Sequence, residues 1–200
     1  AAQAVELEAH RALLLTREDL VAAFDRARTF TDPDRMLDET IAQIWHDWQA
    51  QDPVQRRAVV MLDTQATQVE FDGEHLRRVL VNLLDNALRY MGPEPDSLCV
   101  ATRTTPAGQV SLQVWSDGAP MDKSVERHLF EPFFSSESRS SGLGLYICRE
   151  LCQRHGASIS YQRLNRTTLR GETGGNAFTV GFRRTTRPAD AATLFDTIVV

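Results

Sequence analysis

The sequence predicts an α+β fold, a two-layer α/β sandwich in which helices cover one face of a mixed β-sheet. Two patterns carry this prediction. Residues 74–90 hold apolar side chains at helical spacing, whereas residues 98–104 and 109–115 alternate apolar and polar side chains around Pro106-Ala107-Gly108, as a hairpin does. Helical and strand-pair patterns then interleave in mixed order along the chain, which favours an α+β sandwich.

Turn and cap residues place the ends of the elements. Asp72-Gly73 leads into the helix over 74–90, Gly92-Pro93-Glu94-Pro95 breaks it, and Gly156 stops a later helix. The remaining predicted elements are helices over 36–50 and 142–155, strands over 57–62, 67–71, 157–163 and 177–183, and a flexible loop over 170–176.

We expect three segments along the chain. Residues 1–35 have a helical pattern and form an N-terminal extension, which ends at the turn Thr31-Asp32-Pro33-Asp34. Residues 36–187 make up the main domain. Residues 188–200 form a C-terminal tail that is partly apolar.

Composition excludes several classes of protein. The chain has 200 residues, 42% hydrophobic and 24% charged, which suits one globular domain with an appendage. A net charge of −5 argues against broad nucleic-acid binding. No apolar run approaches the roughly 20 residues of a membrane span, and the acidic start does not resemble a signal peptide. We therefore expect a cytoplasmic chain, including the case of the cytoplasmic part of a membrane-anchored protein.

The three cysteines, Cys99, Cys148 and Cys152, are too few for a disulfide framework. Cys148 and Cys152 lie four residues apart on a predicted helix, with no further His or Cys nearby to complete a metal site. We expect all three to be small buried side chains in a reducing compartment.

Two asparagines in the apolar helix 74–90 are the strongest functional signal. Asn82 and Asn86 are four residues apart, so their carboxamides share a helix face, with Asp85 and Arg89 close to that face. An Asn on a core-facing helix needs polar partners, and a divalent ion with a chain of phosphates would supply them.

A glycine turn about sixty residues downstream points to the same chemistry. Ser140-Ser141-Gly142-Leu143-Gly144 runs directly into the helix predicted over 142–155. Backbone N–H groups at such a helix start can hold a phosphate. Together with the asparagine helix, the turn suggests a nucleotide site, although each feature alone is weak evidence.

The order of motifs over residues 36–184 resembles the ATP-binding catalytic domain of bacterial two-component sensor histidine kinases. This domain shares its ATPase fold with DNA gyrase, MutL and heat-shock chaperones. Four separated motifs occur in the family's order: the asparagine helix, Ser116-Asp117-Gly118, the aromatic run 130–134 and the glycine turn.

The resemblance implies roles for the first motif. Asn86 would bind Mg²⁺ through its amide oxygen, and Asn82 would lie near the metal and the γ-phosphate, so these two are the expected catalytic residues. Arg89-Tyr90 follows where the family often has Lys-Tyr. An arginine keeps the positive charge and can bind a phosphate through two hydrogen bonds.

The second motif departs from the family pattern Asp-x-Gly-x-Gly, in which the Asp accepts a hydrogen bond from the adenine amino group. Spacing back from Phe130 aligns Ser116 with that Asp, Gly118 with the first Gly and Pro120 with the second. The other register gives the role to Asp117 and places Ala119 where Gly is expected. Chemistry favours Asp117 and spacing favours Ser116, and the two alternatives stay open here.

The remaining motifs resemble the borders of an ATP lid. Phe130-Glu131-Pro132-Phe133-Phe134 would anchor one end of a polar flap over 135–141, whose one cation is Arg139. Ser140 stands where the family often has another Gly. The residues that the resemblance assigns to nucleotide binding are Asn82, Asn86, Arg89, Tyr90, Ser116, Asp117, Gly118, Arg139, Ser141, Gly142, Leu143 and Gly144.

A phosphoacceptor histidine is not evident. His10, His46, His75, His128 and His155 lack the acidic neighbour and nearby proline of the family motif, apart from His46-Asp47, whose proline is too distant. We expect the acceptor to lie outside this chain and residues 1–35 to be the tail of the dimerisation helices or a linker from them.

The resemblance implies ATP and Mg²⁺ as cofactors. It implies a response regulator and the protein's own dimerisation domain as partners, a homodimer at full length, and no nucleic acid.

Three alternatives compete with the sensor kinase. The first is a degenerate domain of the same fold that binds or scaffolds without catalysis, which the altered second motif supports. The second is a gyrase- or chaperone-type ATPase, which is disfavoured because those enzymes typically place a Glu general base at the position of Asn82. The third is an anti-sigma-factor serine kinase, which the helical pattern over 1–35 suits less well.

Overall fold

The structure, a computed structural model, describes residues 36–53, 56–64, 67–134 and 142–183. The helical extension expected over 1–35 and the tail expected over 188–200 lie outside the described residues. The proposed division of the chain into three segments therefore stays a prediction.

Helices and strands alternate irregularly along the described part of the chain, as the sequence predicted. Asp72 starts the longest helix by accepting a hydrogen bond from the His75 N–H at 2.9 Å, and Gly156, with φ +64°, follows the end of another helix. The elements are α1 Leu37–Gln49, β1 Val59–Met61, α2 Gly73–Tyr90, β2 Leu98–Thr104, β3 Val110–Ser116, α3 Lys123–His128, α4 Gly144–Arg154, β4 Ser158–Thr168 and β5 Gly171–Phe182.

The five described strands form one mixed sheet in the order β1-β2-β3-β5-β4. β1 is parallel to β2, and the other neighbours are antiparallel. The predicted hairpin is confirmed: Leu98 pairs with Ser116 at one end of β2–β3, and Thr104 pairs with Val110 at the other.

The core lies between this sheet and helices α1, α2 and α4. Alternate residues of the strands, such as Val100, Val114 and Val180, face the helices and are fully buried with apolar residues of α2 such as Leu83. Each such side chain stabilises the fold by about 1.5–3 kcal/mol relative to exposure. The α+β sandwich with helices on one face is confirmed.

The second face of the sheet carries a smaller apolar cluster, formed by Cys99, Ala101, Trp115 and Ala177. The distal half of the β4–β5 hairpin bends across this cluster, and the Trp115 indole N–H donates to the Leu164 carbonyl there at 3.1 Å. Gly175 permits the contact: a Cβ there would lie 2.2 Å from the Trp115 ring.

Three details differ from the sequence prediction. The strand predicted over 67–71 is wrong, since Val69 makes only an isolated bridge there and the Phe71 N–H donates back to the Val69 carbonyl at 3.0 Å in a tight turn. The flexible loop predicted over 170–176 is wrong as well, because Gly171 begins β5 and a two-residue turn closes the hairpin. Gly175 in this segment instead allows the strand to pack closely against Trp115. The short helix α3 was not predicted.

Among the described residues, no helix combines the length and apolarity that crossing a membrane requires. The three cysteines are buried and free, as expected. They lie inside the two apolar clusters, which explains their presence as packing residues.

Candidate functional site

A cavity of about 590 Å³ opens between α2, the segment that joins β3 to α3, and the start of α4. Its walls combine carboxamides and an arginine with apolar side chains, as expected of a site for a polar ligand with an apolar portion. The described residues that line it are Asn82, Asp85, Asn86, Arg89, Tyr90, Ala119, Pro120, Met121, Asp122, Val125, Leu129, Phe134, Gly142, Gly144, Leu145 and Asn176.

Helix α2 places both predicted asparagines on the cavity wall. Asn82 donates from Nδ2 to the Arg78 carbonyl at 3.0 Å, which turns its amide oxygen away from the helix axis. That oxygen lies towards the glycine turn, 3.2 Å from the point where a Gly144 Cβ would be. Asn86 is half-buried, and no described residue hydrogen-bonds to its carboxamide. The oxygen of Asn86 is therefore available to a ligand.

Asp85 and Arg89 flank the asparagines on the exposed side of α2. The Trp48 indole N–H donates to Asp85 Oδ1 at 2.7 Å and so ties α2 to α1. Arg89 and Tyr90 line the cavity at the end of the helix and remain exposed. A cation and a phenol at the rim can meet phosphate oxygens.

The glycine turn contacts the end of the aromatic motif. Gly142 has φ +63°, and a Cβ there would lie 2.6 Å from the Phe133 carbonyl carbon and 2.7 Å from the Phe134 carbonyl oxygen. Leu143 is the N-cap of α4, and Gly144 begins the helix on the cavity wall. Only glycine fits at position 142. Arg139 and Ser141 lie outside the described residues, so their predicted roles stay predictions.

Strand alternation separates the two candidates in the second motif. Ser116 is the last residue of β3, pairs with Asn176 of β5, and lies on the helix-covered face with Val114 and Leu112. Asp117, the next residue, points to the other side of the strand end. Neither side chain is among the described residues lining the cavity, but Ser116 lies on the cavity's side of the sheet and Asp117 does not.

The carboxylate of Asp117 is enclosed by protein donors, and its side chain is only 4% exposed. The Gly92 N–H donates at 2.7 Å, the Ser97 hydroxyl at 2.8 Å, and Arg170 Nη2 at 2.6 Å. Burial alone would raise the pKa of Asp117, but these three donors outweigh it and hold the pKa below its usual range. The carboxylate already accepts three hydrogen bonds from the protein and is poorly placed to read a ligand.

Asn176 lines the cavity, and Gly118 packs against it. A Cβ at Gly118 would lie 3.1 Å from both Asn176 Nδ2 and the Tyr90 carbonyl, so this glycine allows β3 to meet α2 closely. Asn176 is 5% exposed and donates to the Ala119 carbonyl at 2.9 Å.

Sequence reasoning missed Asn176 because it placed this residue in a loop. The alternation of Asn176 with Phe178, Val180 and Phe182 was a usable signal, since a strand puts all four on one face. The apolar wall from Pro120 to Leu129 had no sequence signal of its own. The described residues contain no cluster of His, Cys, Asp and Glu suited to holding a metal without further ligands.

The fold and the cavity define a nucleotide-binding ATPase domain. The family model described as "Histidine kinase-, DNA gyrase B-, and HSP90-like ATPase" matches residues 71–186, and the chain belongs to this family. The resemblance to ATP-binding domains of sensor kinases is thereby confirmed.

Relatives among characterised proteins are sensor kinases. The chain is 36% identical over 118 residues to the sensor protein kinase PilS of Pseudomonas aeruginosa, which is 58% of this chain and 21% of that protein. It is 31% identical over 127 residues to the sensor protein KdpD of Escherichia coli K12, which is 61% of this chain and 13% of that protein. The match thus spans about a fifth or less of these relatives.

Solved structures agree on the fold. The catalytic domain of histidine kinase ThkA, in a nucleotide-free form, superposes with a TM-score of 0.62 at 25% identity and covers 76% of this chain and 94% of that domain. The mycobacterial sensor histidine kinase MprB has a TM-score of 0.61 at 21% identity, covering 76% of this chain and 99% of that one. The latter likeness supports the fold alone.

Proposed function

We propose that the cavity binds ATP with Mg²⁺ and that the domain supplies the γ-phosphoryl group to a histidine on a dimerisation domain outside the described residues. From there the group would pass to an aspartate of a response regulator, as in two-component signalling. The observation that carries this proposal is the joining of Asn82, Asn86 and the glycine turn in one cavity.

The residues present fit a nucleotide triphosphate and its metal. Asn86 offers an amide oxygen with no hydrogen-bond partner among the described residues, and Asn82 turns its own oxygen towards the glycine turn. Mg²⁺ usually takes one or two protein oxygens and fills its other positions with phosphates and water, so neutral amides suffice. When bound, Mg²⁺ would neutralise phosphate charge and favour phosphoryl transfer.

The chain's own residues act by position and charge. The start of α4 presents backbone N–H groups to the cavity, Gly142 and Gly144 allow close approach, and Arg89 adds a positive charge at the rim. The apolar wall around Met121, Val125 and Leu129 excludes water from the rest of the ligand.

Hydrolysis should be slow in this domain alone. Asn82 cannot abstract a proton from water, which supports a kinase over a gyrase-type ATPase. Of the carboxylates that line the described part of the cavity, Asp85 is held by Trp48, and Asp122 lies at the start of α3. The nucleophile is therefore best supplied by another domain.

The test is calorimetric titration of the chain with a non-hydrolysable ATP analogue, with and without Mg²⁺. Wild type should bind in a Mg²⁺-dependent manner, and Asn86→Ala should weaken binding at least about tenfold by removing the metal ligand. Gln153→Ala, an exposed carboxamide on α4 away from the cavity, should bind like wild type. Absence of binding by folded wild-type protein would reject the proposal.

A second candidate is a catalytically silent nucleotide-binding domain, which the enclosure of Asp117 favours. The full-length protein separates the two candidates when it is incubated with ATP labelled at the γ-phosphate. Acid-labile, base-stable label on the protein supports the kinase. Binding without any label on the kinase or an added response regulator supports the silent domain.

A further inference from the structure

Asn176 lines the cavity, and hydrogen bonds hold its side-chain amide in place. Its Oδ1 accepts from the Tyr161 hydroxyl at 2.9 Å and from Arg163 Nη1 at 3.0 Å, and its Nδ2 donates to the Ala119 carbonyl at 2.9 Å. Arg163 also donates to the carbonyls of Gly118 at 2.6 Å and Gly174 at 2.8 Å, which anchors the guanidinium beside the amide.

This arrangement sets the orientation of the amide. A guanidinium only donates, so the oxygen of Asn176 must face Arg163, and a flipped amide would set two donors against each other. Both lone pairs of Oδ1 are then used, and one N–H of Nδ2 is used. The polar capacity that Asn176 retains is one N–H donor.

Among the described side chains, none beside that remaining N–H is an acceptor that cannot also donate. The Asp117 carboxylate points to the other side of the strand, where Gly92, Ser97 and Arg170 donate hydrogen bonds to it. Ser116, the cross-strand partner of Asn176, carries a hydroxyl that can donate or accept. The carboxylates that line the described cavity wall, Asp85 and Asp122, are exposed and belong to α2 and the start of α3.

We infer that Asn176 recognises the purine base as a donor, so that the site takes 6-oxopurine nucleotides about as well as adenine nucleotides. An amide N–H can donate to N1 of adenine or to O6 of hypoxanthine or guanine. A carboxylate would favour the adenine amine and repel O6, and no carboxylate of the described residues occupies that place. This inference deepens the proposed function and rests on it, because it assumes that the cavity holds a nucleotide with its base at Asn176.

The deciding experiment compares ADP with IDP, each with Mg²⁺, by calorimetry on the whole chain. The two ligands differ at the six-position of the purine and its neighbouring N1, and neither carries a γ-phosphate that could be lost. Dissociation constants within about fivefold of each other support the inference, since a selective hydrogen bond would separate them further. Binding of ADP that is more than about fivefold tighter than IDP overturns the inference and leaves the proposed function standing. If folded protein binds neither nucleotide, nor the ATP analogue, both fail.

A substitution at the cross-strand partner of Asn176 tests where the base lies. Ser116→Asp places a carboxylate next to Asn176 and should shift the ratio of the two constants towards ADP by about tenfold or more. Ser111→Asp adds the same charge on β3 away from the cavity and should leave the ratio unchanged. A ratio that Ser116→Asp leaves unchanged in a folded protein overturns the assignment. Should that variant not fold, the wild-type comparison of ADP and IDP decides alone.

Discussion

Arg170, in the turn that closes the β4–β5 hairpin, donates a 2.6 Å hydrogen bond to Asp117, the residue after β3. The two residues are 53 positions apart, and their contact holds the bent hairpin tip against the start of the segment that lines the cavity. In return, the carboxylate of Asp117 raises the pKa of Arg170 above its ordinary value. The ion pair thus connects the β4–β5 hairpin, which lies over the second face of the sheet, to the segment after β3 that lines the cavity.

Asp117→Ala should destabilise the fold, because the Gly92 N–H, the Ser97 hydroxyl and Arg170 lose their common acceptor. A loss of about 1–3 kcal/mol is expected in the free energy of unfolding, measured by urea denaturation. Asp63→Ala removes an exposed carboxylate and serves as the control, with a change near zero. Equal stability of the two variants would contradict the role assigned to Asp117.

The same carboxylate should make stability depend on pH. Since the pKa of Asp117 is lowered in the folded state, its contribution is complete above its unfolded pKa of about 4 and is lost as pH falls through the lower folded value. The stability gap between wild type and Asp117→Asn should therefore be largest at neutral pH and shrink below about pH 4. Urea denaturation at both pH values measures it, and a gap that is constant with pH would argue against a charged Asp117.

Helical periodicity was enough to predict the asparagine pair. Asn82 and Asn86 share a face because they are one helical turn apart, and no distant contact is needed to know it. The glycine turn was predictable for the same reason, since its position before a helix is a local property. The fold class followed from local patterns of period two and period 3.6.

The inner end of the cavity depends on pairing between distant residues. Ser116 and Asp117 lie on opposite sides by strand alternation, and the register of β3 against β5 sets which of them lies on the cavity's side, since one residue of slip would reverse it. Asn176 lines the cavity as a residue of β5, which begins at Gly171, whereas the sequence prediction began this strand at residue 177. The alternation of Asn176 with Phe178 and Val180 indicates a shared face, but a local pattern does not say which strand pairs with that segment.

Gly142→Ala should lower the stability of the fold more than Gly171→Ala, although both glycines have a positive φ. Gly142 (φ +63°) would press a Cβ against the backbone of Phe133 and Phe134, whereas Gly171 (φ +94°) has nothing within 4 Å of its Cβ position. Gly171→Ala should cost about 1 kcal/mol of stability from strain alone. Gly142→Ala should cost more and also weaken nucleotide binding, measured by calorimetry. Equal costs with unchanged binding would contradict this view of the turn.

Trp48 and Asp85 should be energetically coupled. The indole N–H of Trp48, a residue 1% exposed, donates to the Asp85 carboxylate beside Asn86 and so joins α1 to the helix of the site. A double-mutant cycle with Trp48→Phe and Asp85→Ala should give a coupling of about 0.5–1.5 kcal/mol in the free energy of unfolding. The same cycle with Trp45→Phe, a half-buried neighbour that stacks on Trp48, should give a coupling near zero. Coupling of equal size in both cycles would point to general packing and away from this hydrogen bond.

The three cysteines should report unfolding through their reactivity. Burial raises the pKa of Cys152 to about 12, and burial together with the neighbouring Cys152 raises that of Cys148. Burial also raises the pKa of Cys99, although Arg166 opposes this effect.

At pH 8 the native chain should therefore react with a disulfide reagent such as Ellman's reagent only as fast as the fold opens. The reason is that the thiolate, and not the thiol, is the attacking species. Urea should release all three thiols for reaction, and a bound nucleotide should slow labelling of the native chain, since a ligand that binds the folded state lowers the open population. Rapid reaction of any one of the three in native protein would show that its burial is not maintained in solution, and Cys→Ser variants would identify which.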